Sequence, residues 1–271
     1  MTKLSRLTPL HSVPREMLSS VKFILTDIDD TLTWQSQLPS VSYDALVRLK
    51  AAGFHIIPVT GGCAGWSDLI ARLWPVDGVI TEGGACYLHK DNLGRLQYEY
   101  WEDADKMKQR QSNLLQIVKG ILPSYPELKL AQDQSFRLTD VAVDYAQDVI
   151  PSQPEARDLL LAELHELGIQ AKASSIHINI WQGEYDKFTM ARRVLMQRFG
   201  LTMDTLLEQV LYVGDSPNDE SMFAHFPLSV GVSNIQQHLP KMTHQPAYLT
   251  QTPGGLGFAE LSNYLLNTVR V

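Results

Sequence analysis

Cysteine and long hydrophobic runs are both scarce in this sequence. The two cysteines, Cys63 and Cys86, lie outside any CxxC pattern, and no segment approaches the ~18 consecutive apolar residues of a membrane span. Residues 1–15 are polar and lack the apolar stretch of a secretory signal. We therefore expect a cytoplasmic protein with reduced thiols and no membrane partner, while a disulfide between the two cysteines stays open.

Positive charge is also in short supply. The 271 residues include 23 Lys and Arg against 30 Asp and Glu, which gives a net charge of -7. This balance argues against nucleic acid as a partner, because binding to a phosphate backbone depends on basic residues. The histidines show no HxxxH spacing, which argues against a zinc site. The length allows one large domain or two modest ones.

The apolar segments of the chain predict an α/β core. Segments 21–26, 54–60 and 78–81 are nearly all apolar and predict buried strands, with helical patterns between them. The same alternation of helix and strand returns after residue 185. It is typical of a Rossmann-like, doubly wound parallel sheet that is covered by helices on both faces.

The middle of the chain has a different rhythm. Segments 85–89 and 96–101 flank a turn-rich stretch and predict a hairpin, whose strands are antiparallel. Two predicted helices and further strands follow before residue 185. We therefore expect an α/β core, residues 1–84 and 185–271, that is interrupted by an inserted α+β domain, residues 85–184.

Three carboxylates, Asp27, Asp29 and Asp30, follow the first predicted strand within four residues. Crowded carboxylates raise one another's pKa, and a bound cation or a proton transfer would explain the arrangement. A turn is the alternative, since Asp is common where strands stop. This segment alone favours neither interpretation.

Other polar residues occupy comparable positions: Thr60 and Asp215 follow strands, and Lys187 begins a helix. Ligands of open parallel sheets bind beyond the carboxyl ends of the strands. Carboxylates there would form an oxygen-lined site suited to Mg²⁺, and Lys187 and Thr60 could donate to a phosphate. One aspartate could attack phosphorus while a second moves the proton. Each residue also has a structural explanation, namely a turn, a solvated lysine or helix capping.

Four motifs in order carry a family resemblance: Asp27-Ile28-Asp29-Asp30-Thr31, then Thr60, then Lys187, then Gly214-Asp215-Ser216-Pro217-Asn218-Asp219. With them the chain resembles the haloacid dehalogenase superfamily of phosphohydrolases. The position of the insert matches the Cof-like and sugar-phosphatase-like branch, which has a large α+β cap (type IIB) after the third core strand.

The resemblance implies a role for each motif residue. Asp27 is the implied nucleophile and Asp29 the implied general acid and base. The implied phosphate-binding residues are Thr60, Gly61, Lys187 and Asn218. The implied Mg²⁺ ligands are Asp27, Asp29 through its backbone carbonyl, Asp215 and Asp219.

Three positions depart from the family pattern. Relatives with this cap often have Gly in place of Asp30, Arg in place of Gly62 and Asn in place of Gly83. None of the three touches the implied chemistry. Gly62 stands where relatives often have a cation near the site, and Gly83 where they often have an amide at the junction between core and cap.

A candidate substrate-reading face lies in the inserted domain. On a strand over 175–181, His177, Asn179 and Trp181 share one face, and a donor-rich row beside an aromatic ring suits a sugar or polyol. An ordinary solvated strand face is the alternative.

We therefore expect a Mg²⁺-dependent phosphatase that acts on a small-molecule phosphate ester, with a sugar or polyol phosphate as the expected substrate class. A phosphomutase on the same scaffold and a non-catalytic binding protein are the alternatives. The sequence indicates no oligomeric state.

Overall fold

The structure, a computed structural model, describes residues 8–269. Its strands are β1 (Thr8–Pro9), β2 (Phe23–Thr26), β3 (His55–Pro58), β4 (Val79–Thr81), β5 (Cys86–Lys90), β6 (Leu96–Tyr100), β7 (Lys129–Leu130), β8 (Val141–Asp144), β9 (Gln170–Ala173), β10 (His177–Trp181), β11 (Val210–Gly214), β12 (Ser229–Gly231) and β13 (Tyr248–Leu249). Its α-helices are α1 (Arg15–Ser19), α2 (Ser40–Ala51), α3 (Ala64–Leu73), α4 (Ala104–Ile121), α5 (Pro154–Glu166), α6 (Lys187–Phe199), α7 (Met203–Gln209), α8 (Glu220–His225) and α9 (Gly254–Val269).

A parallel sheet with helices on both faces forms the core. Its strand order is β1-β13-β12-β11-β2-β3. Successive residues of β2 point to opposite faces: Ile24 shares a hydrophobic cluster with Leu46 of α2 and Leu265 of α9. Leu25 shares another cluster with Leu195 of α6. The predicted α/β class with a doubly wound sheet is confirmed.

A second, antiparallel sheet forms the inserted α+β unit. Its strand order is β7-β8-β10-β9. Leu114 of α4 and Leu164 of α5 pack with Val141 and Ile178 of this sheet in a separate hydrophobic cluster. We call this unit, with its connecting segments between α4 and β10, the cap.

The hairpin of β5 and β6 pairs with strand β4, whereas the sequence analysis placed it in the insert. Its first strand pairs with β4, with Leu88 opposite Val79, and Leu88 lies in the same cluster as Ile70 of α3. The hairpin therefore extends the core side, because the sequence pattern of a hairpin does not specify which sheet it joins. We place the start of the cap near Asp103, the N-cap of α4. The predicted ranges 1–84, 85–184 and 185–271 otherwise stay predictions, and residues 1–7 and 270–271 lie outside the described residues.

The remaining sequence expectations concern thiols and membranes. Cys63 and Cys86 are both buried and free, so no disulfide joins them. Across residues 8–269, no helix is long and apolar enough to cross a membrane. The two-residue strands β1 and β13 are too short to leave a periodic pattern in the sequence.

Candidate active site

The pairing of β2 with β11 brings Asp27 and Asp215 together. Val213 is opposite Thr26 in the parallel register, and the amide of Asp27 donates to the carbonyl of Val213 at 2.9 Å. Because each aspartate directly follows its strand, both lie at the carboxyl edge of the sheet, where ligands bind. Both side chains are buried.

Lys187 supplies the positive charge of this cluster. It is the first residue of α6, whose start is fixed by Asp186, because the Asp186 carboxylate accepts from the amide of Thr189 at 2.8 Å. The ammonium Nζ of Lys187 lies 2.9 Å from Asp27 Oδ1 and 2.7 Å from Asp219 Oδ1. A buried ammonium is held by such pairing, so Lys187 joins two of the predicted motifs in one ion-paired group.

Asp219 organises the turn that follows β11. Its Oδ1 accepts from Lys187 and from the hydroxyl of Tyr212. Its Oδ2 accepts from the backbone amides of Asp215 at 2.9 Å and Ser216 at 3.1 Å. Both oxygens are thus engaged by protein donors, and Asp219 holds Lys187 and the backbone of Asp215 in place.

The neighbours of Asp219 explain two further motif residues. A Cβ at Gly214 would lie 2.4 Å from Asp219 Oδ2, so only glycine lets the carboxylate approach this closely. Asn218 Oδ1 accepts from the Ser216 hydroxyl at 2.9 Å and from Lys187 at 3.3 Å. Asn218 is therefore beside Lys187, and its contact with a phosphate stays a prediction.

Asn234 is a site residue that the sequence reasoning missed. Its Nδ2 donates to Asp215 Oδ2 and to the backbone carbonyl of Asp30, each at 3.0 Å. Its Oδ1 accepts from the amide of Gly254 at 2.9 Å. The hydroxyl of Thr31 donates to Asp215 Oδ1 at 3.2 Å, so the Asp215 carboxylate is oriented from both sides. The sequence did carry a signal for Asn234, because Asn234 comes shortly after β12, another strand of the parallel sheet.

The cluster has the donor chemistry of a Mg²⁺ site. Carboxylate oxygens of Asp27, Asp215 and Asp219 all lie within 4.8 Å of one another. Burial, with the charges of Asp219 and Asp29, raises the pKa of Asp27 to about 8 although Lys187 opposes the shift. Burial and the neighbouring carboxylates also raise the pKa of Asp215. A divalent cation would offset this repulsion, and Asp27 and Asp215 fit it, since hard oxygen ligands suit Mg²⁺.

The Asp29 carboxylate lies outside this group and faces a cleft between core and cap. Burial and the charge of Asp30 raise the pKa of Asp29 to about 6. The cleft has a volume of about 340 Å³. Its lining residues are Asp29, Asp30, Thr33, Trp34, Gln35, Ser36, Trp66, Ala146, Gln147, Ser175, Ile176, Asn234 and Gln237. A half-buried carboxyl group with a pKa near neutrality is suited to moving protons.

Asp30 has a backbone role in the same loop. Its φ of 53° is in the left-handed region, and its amide donates to the hydroxyl of Thr33 at 2.9 Å. Its carbonyl is the one that Asn234 binds. Asp tolerates this conformation better than most residues, so an aspartate at this position is compatible with the backbone of the loop.

Thr60, Gly61 and Gly62 form a loop beyond β3, which we call the phosphate loop. The hydroxyl oxygen of Thr60 accepts from the amide of Gly62 at 2.8 Å, and the Thr60 carbonyl accepts from the amide of Gly83 at 3.0 Å. Gly83 has a φ of 67°, so glycine at this junction permits the turn that closes the loop.

Of the three predicted cap residues, Asn179 approaches the phosphate loop most directly. Its Nδ2 donates to the carbonyl of Gly61 at 2.8 Å. Trp181 lines a small cavity beside Asn179 and Lys187, and its indole donates to the carbonyl of Tyr185 at 3.2 Å. His177 is buried, and burial lowers its pKa to about 4. Within the row, His177 and Asn179 are buried and Trp181 is partly exposed, so the row is not an ordinary solvated strand face.

The cap also contributes Arg137, which the sequence reasoning did not single out. Its Nη1 donates to the carbonyl of Gly61 at 3.1 Å. Arg137 lies on a connecting segment before β8, where no strand or helix pattern marks its direction. Only the packing of the cap on the core reveals its contact.

The comparison with protein families gives one match over most of the chain. The family described as sucrose-6F-phosphate phosphohydrolase matches residues 21–260. Among curated proteins, a phosphoglycolate phosphatase from Methanosarcina mazei is 21% identical over 245 residues, which cover 90% of this chain and 96% of the relative.

Solved structures share the fold. A HAD/COF-like hydrolase from Plasmodium vivax has a TM-score of 0.67 at 14% identity, over 94% of this chain and 99% of that chain. A subclass IIB sugar phosphatase of the HAD superfamily has a TM-score of 0.58 at 16% identity, over 93% and 100% of the two chains. At these identities the likeness concerns the fold, core and cap included.

Proposed function

This chain belongs to the sucrose-6F-phosphate phosphohydrolase family of the haloacid dehalogenase superfamily of phosphatases, and from this membership we propose a Mg²⁺-dependent phosphatase of small sugar or polyol phosphates. The observation that carries the proposal is the ion-paired group at the sheet edge. There Lys187 lies within 2.9 Å of Asp27, while Asp215 and Asp219 complete the acidic cluster.

The chain's own residues divide the chemistry between two steps. Asp27 attacks phosphorus and forms an aspartyl phosphate, while the bond from phosphorus to the ester oxygen breaks. Asp29 gives its proton to the leaving oxygen and then takes a proton from the water that releases phosphate. Lys187 orients Asp27 and binds the phosphoryl oxygens. Mg²⁺, held by Asp27, Asp215 and the backbone carbonyl of Asp29, would offset the charge of nucleophile and substrate.

The lining of the cleft supports an uncharged leaving group. Asp29 and Asp30 contribute negative charge, and among the described residues that line the cleft none is Lys, Arg or His. A leaving group with a carboxylate would meet like charge there. Trp34, Trp66 and Gln147 offer instead aromatic faces and an amide, which suit the carbon face and hydroxyl groups of a sugar or polyol.

A substrate panel tests this proposal. Purified protein with Mg²⁺ should release free phosphate from hexose, pentose and glycerol phosphates with kcat/KM at least about tenfold above that for 2-phosphoglycolate. A preference for 2-phosphoglycolate would overturn the polyol assignment. Transfer of phosphate back to the sugar, without free phosphate, would instead indicate a mutase.

Asp30→Asn provides a matched charge test, because Asn tolerates the left-handed backbone of this position as Asp does. Replacing the cleft carboxylate by an amide should shift the preference toward 2-phosphoglycolate, because the repulsion of its carboxylate falls. An exposed change of the same kind, Asp44→Asn on α2, should leave the ratio unchanged.

A further inference from the structure

The carbonyl of Gly61 in the phosphate loop accepts two hydrogen bonds from the cap. Asn179 Nδ2 donates to it at 2.8 Å and Arg137 Nη1 at 3.1 Å. Both donors are buried, with 7% and 4% of their surface exposed. One hydrogen bond is enough to satisfy a buried carbonyl oxygen. The second donor therefore exceeds what burial of this carbonyl requires.

Arg137 is held in place by carboxylates of the cap itself. It donates to both oxygens of Asp140 at 3.0 and 2.9 Å and to those of Asp133 at 3.2 and 3.1 Å. Asn179 Nδ2 also lies 3.3 Å from Asp140 Oδ2. The planar guanidinium is thereby fixed in direction, so its contact with Gly61 is geometrically defined.

Glu82 of the core secures the same cap segment from the other side. Its Oε1 accepts from the amides of Ala64 at 3.0 Å and Leu138 at 2.9 Å, and its Oε2 accepts from the amide of Thr139 at 2.7 Å and from the Thr139 hydroxyl. The residues next to Arg137 are therefore anchored to the core. A Cβ at Gly61 would lie 2.7 Å from Asn179 Oδ1, so the contact is close-packed.

The peptide unit that follows Gly61 links this contact to Thr60. A trans peptide is planar, so fixing the Gly61 carbonyl also fixes the amide of Gly62. That amide donates to the hydroxyl oxygen of Thr60 at 2.8 Å. The hydroxyl oxygen of Thr60 thus accepts from Gly62. Its hydrogen has no acceptor among the described residues, so it can donate to a phosphate oxygen.

We propose that Asn179 and Arg137 are positioning residues of the cap that hold the Gly61–Gly62 peptide, and through it Thr60, in the geometry that binds phosphate. The proposal rests on the proposed function only in placing the phosphoryl group at this loop. It assigns Asn179 to loop geometry and not to contact with the leaving group, and it gives Arg137 a role at the site.

Binding of inorganic phosphate in the presence of Mg²⁺, measured by titration calorimetry, tests this without any need for turnover. Asn179→Ala should weaken phosphate binding about tenfold, the effect of losing a hydrogen bond of ordinary strength. Arg137→Lys keeps the positive charge but loses the planar guanidinium and its fixed set of donors, so it should weaken phosphate binding as well. Matched cap controls, Asn113→Ala on α4 and Arg157→Lys on α5, should bind phosphate like the unmodified protein.

A kinetic measurement separates positioning from a merely structural role. With a generic aryl phosphate, Asn179→Ala should raise KM about tenfold and lower kcat less, at temperatures far below its unfolding transition. Phosphate affinity and KM within twofold of the unmodified protein would overturn the proposal, even if the variant melts earlier. Failure of the unmodified protein to bind phosphate would overturn it too.

The two proposals fail in distinguishable ways. Absence of hydrolysis by the unmodified protein, with phosphate binding that still depends on Asn179, would contradict the proposed function alone. Hydrolysis that is insensitive to Asn179 and Arg137 would contradict the positioning role alone.

Discussion

Lys187 Nζ lies 2.9 Å from Asp27 Oδ1 although 160 positions separate the two residues in the chain. Burial disfavours the charged form of Asp27, and the ammonium of Lys187 opposes that effect. The ammonium therefore favours the ionised form of Asp27, which the proposed role of Asp27 as nucleophile requires.

Asp27→Asn should abolish hydrolysis of an aryl phosphate while the protein stays folded. The amide has nearly the same shape but is no nucleophile, so we expect a loss of at least about a thousandfold in kcat. Initial rates and a thermal melt measure the two effects. Asp44→Asn on the exposed face of α2 is the control, and residual turnover of Asp27→Asn near that of the control would remove Asp27 as nucleophile.

Removal of divalent metal should abolish activity and lower the melting temperature. The three buried carboxylates repel one another without a cation, and a ligand that binds only the folded state stabilises it. Treatment with a chelator followed by Mg²⁺ should therefore remove and restore both properties. Hydrolysis that continues in excess chelator would contradict the proposed metal site.

Asn234→Ala should weaken Mg²⁺ binding without removing a ligand. Asn234 orients Asp215 by a 3.0 Å hydrogen bond, and loss of such a partner costs about 10- to 100-fold in metal affinity. The Mg²⁺ concentration for half-maximal activity should rise by that factor. Asn263→Ala on α9 is the control, and an unchanged Mg²⁺ dependence in Asn234→Ala would show that Asp215 needs no such support.

Asp29→Asn should stabilise the metal-free protein at neutral pH. Burial raises the folded-state pKa of Asp29 to about 6 from an ordinary 3.8, so the folded state binds a proton more tightly than the unfolded state. This contribution to stability is complete below pH 3.8 and is lost as the pH rises through 6.

The comparison should be made by denaturant unfolding at pH 7.5 and pH 5 in chelator. We expect Asp29→Asn to be about 1–3 kcal/mol more stable than the unmodified protein at pH 7.5, with a smaller difference at pH 5. The same variant should lose activity on alkyl phosphates. Equal stability of Asp29→Asn and the unmodified protein at both pH values would argue that the folded-state pKa of Asp29 is not raised.

Arg137→Met should destabilise the protein by about 3–5 kcal/mol, because it leaves the buried carboxylate of Asp140 and the partly buried carboxylate of Asp133 without their cation. Denaturant unfolding measures the change. Adding Asp140→Asn to the same chain should recover part of the loss, whereas Arg157→Met alone, at a half-buried pair, should cost less. Full stability of Arg137→Met would contradict a buried ion-pair network.

Much of the site could be predicted because its parts are local in the chain. Asp27, Asp215 and Lys187 each sit at the end of a strand or the start of a helix, and parallel strands bring their carboxyl ends to one edge. The helix that begins at Lys187 and the strand that precedes Asp215 were both predicted, since apolar periodicity and capping residues mark them.

What could not be predicted depends on packing between distant segments. The hairpin joins β4 and the core because Leu88 packs against α3, which no pattern within 85–101 specifies. Arg137 lies in a connecting segment, where nothing local distinguishes it from a solvated side chain. The position of Asn234 after β12 was a signal, but only the structure shows that Asn234 binds Asp215. Asn179 was singled out for its strand face, but its partner, the Gly61 carbonyl, became visible only with the cap in place.

The sequence by itself determined the α/β core, the order of the motifs and the residue types that can attack phosphorus, move a proton and bind Mg²⁺. Strand periodicity and the chemistry of single side chains are enough for that. Only the tertiary structure decided which carboxylates form the acidic cluster, that Asp29 faces a cleft without lining cations among the described residues, and that Asn179 and Arg137 of the cap donate to the Gly61 carbonyl. The acidic cluster depends on the pairing of β2 with β11, and the cleft and the contacts to Gly61 depend on how the cap packs on the core.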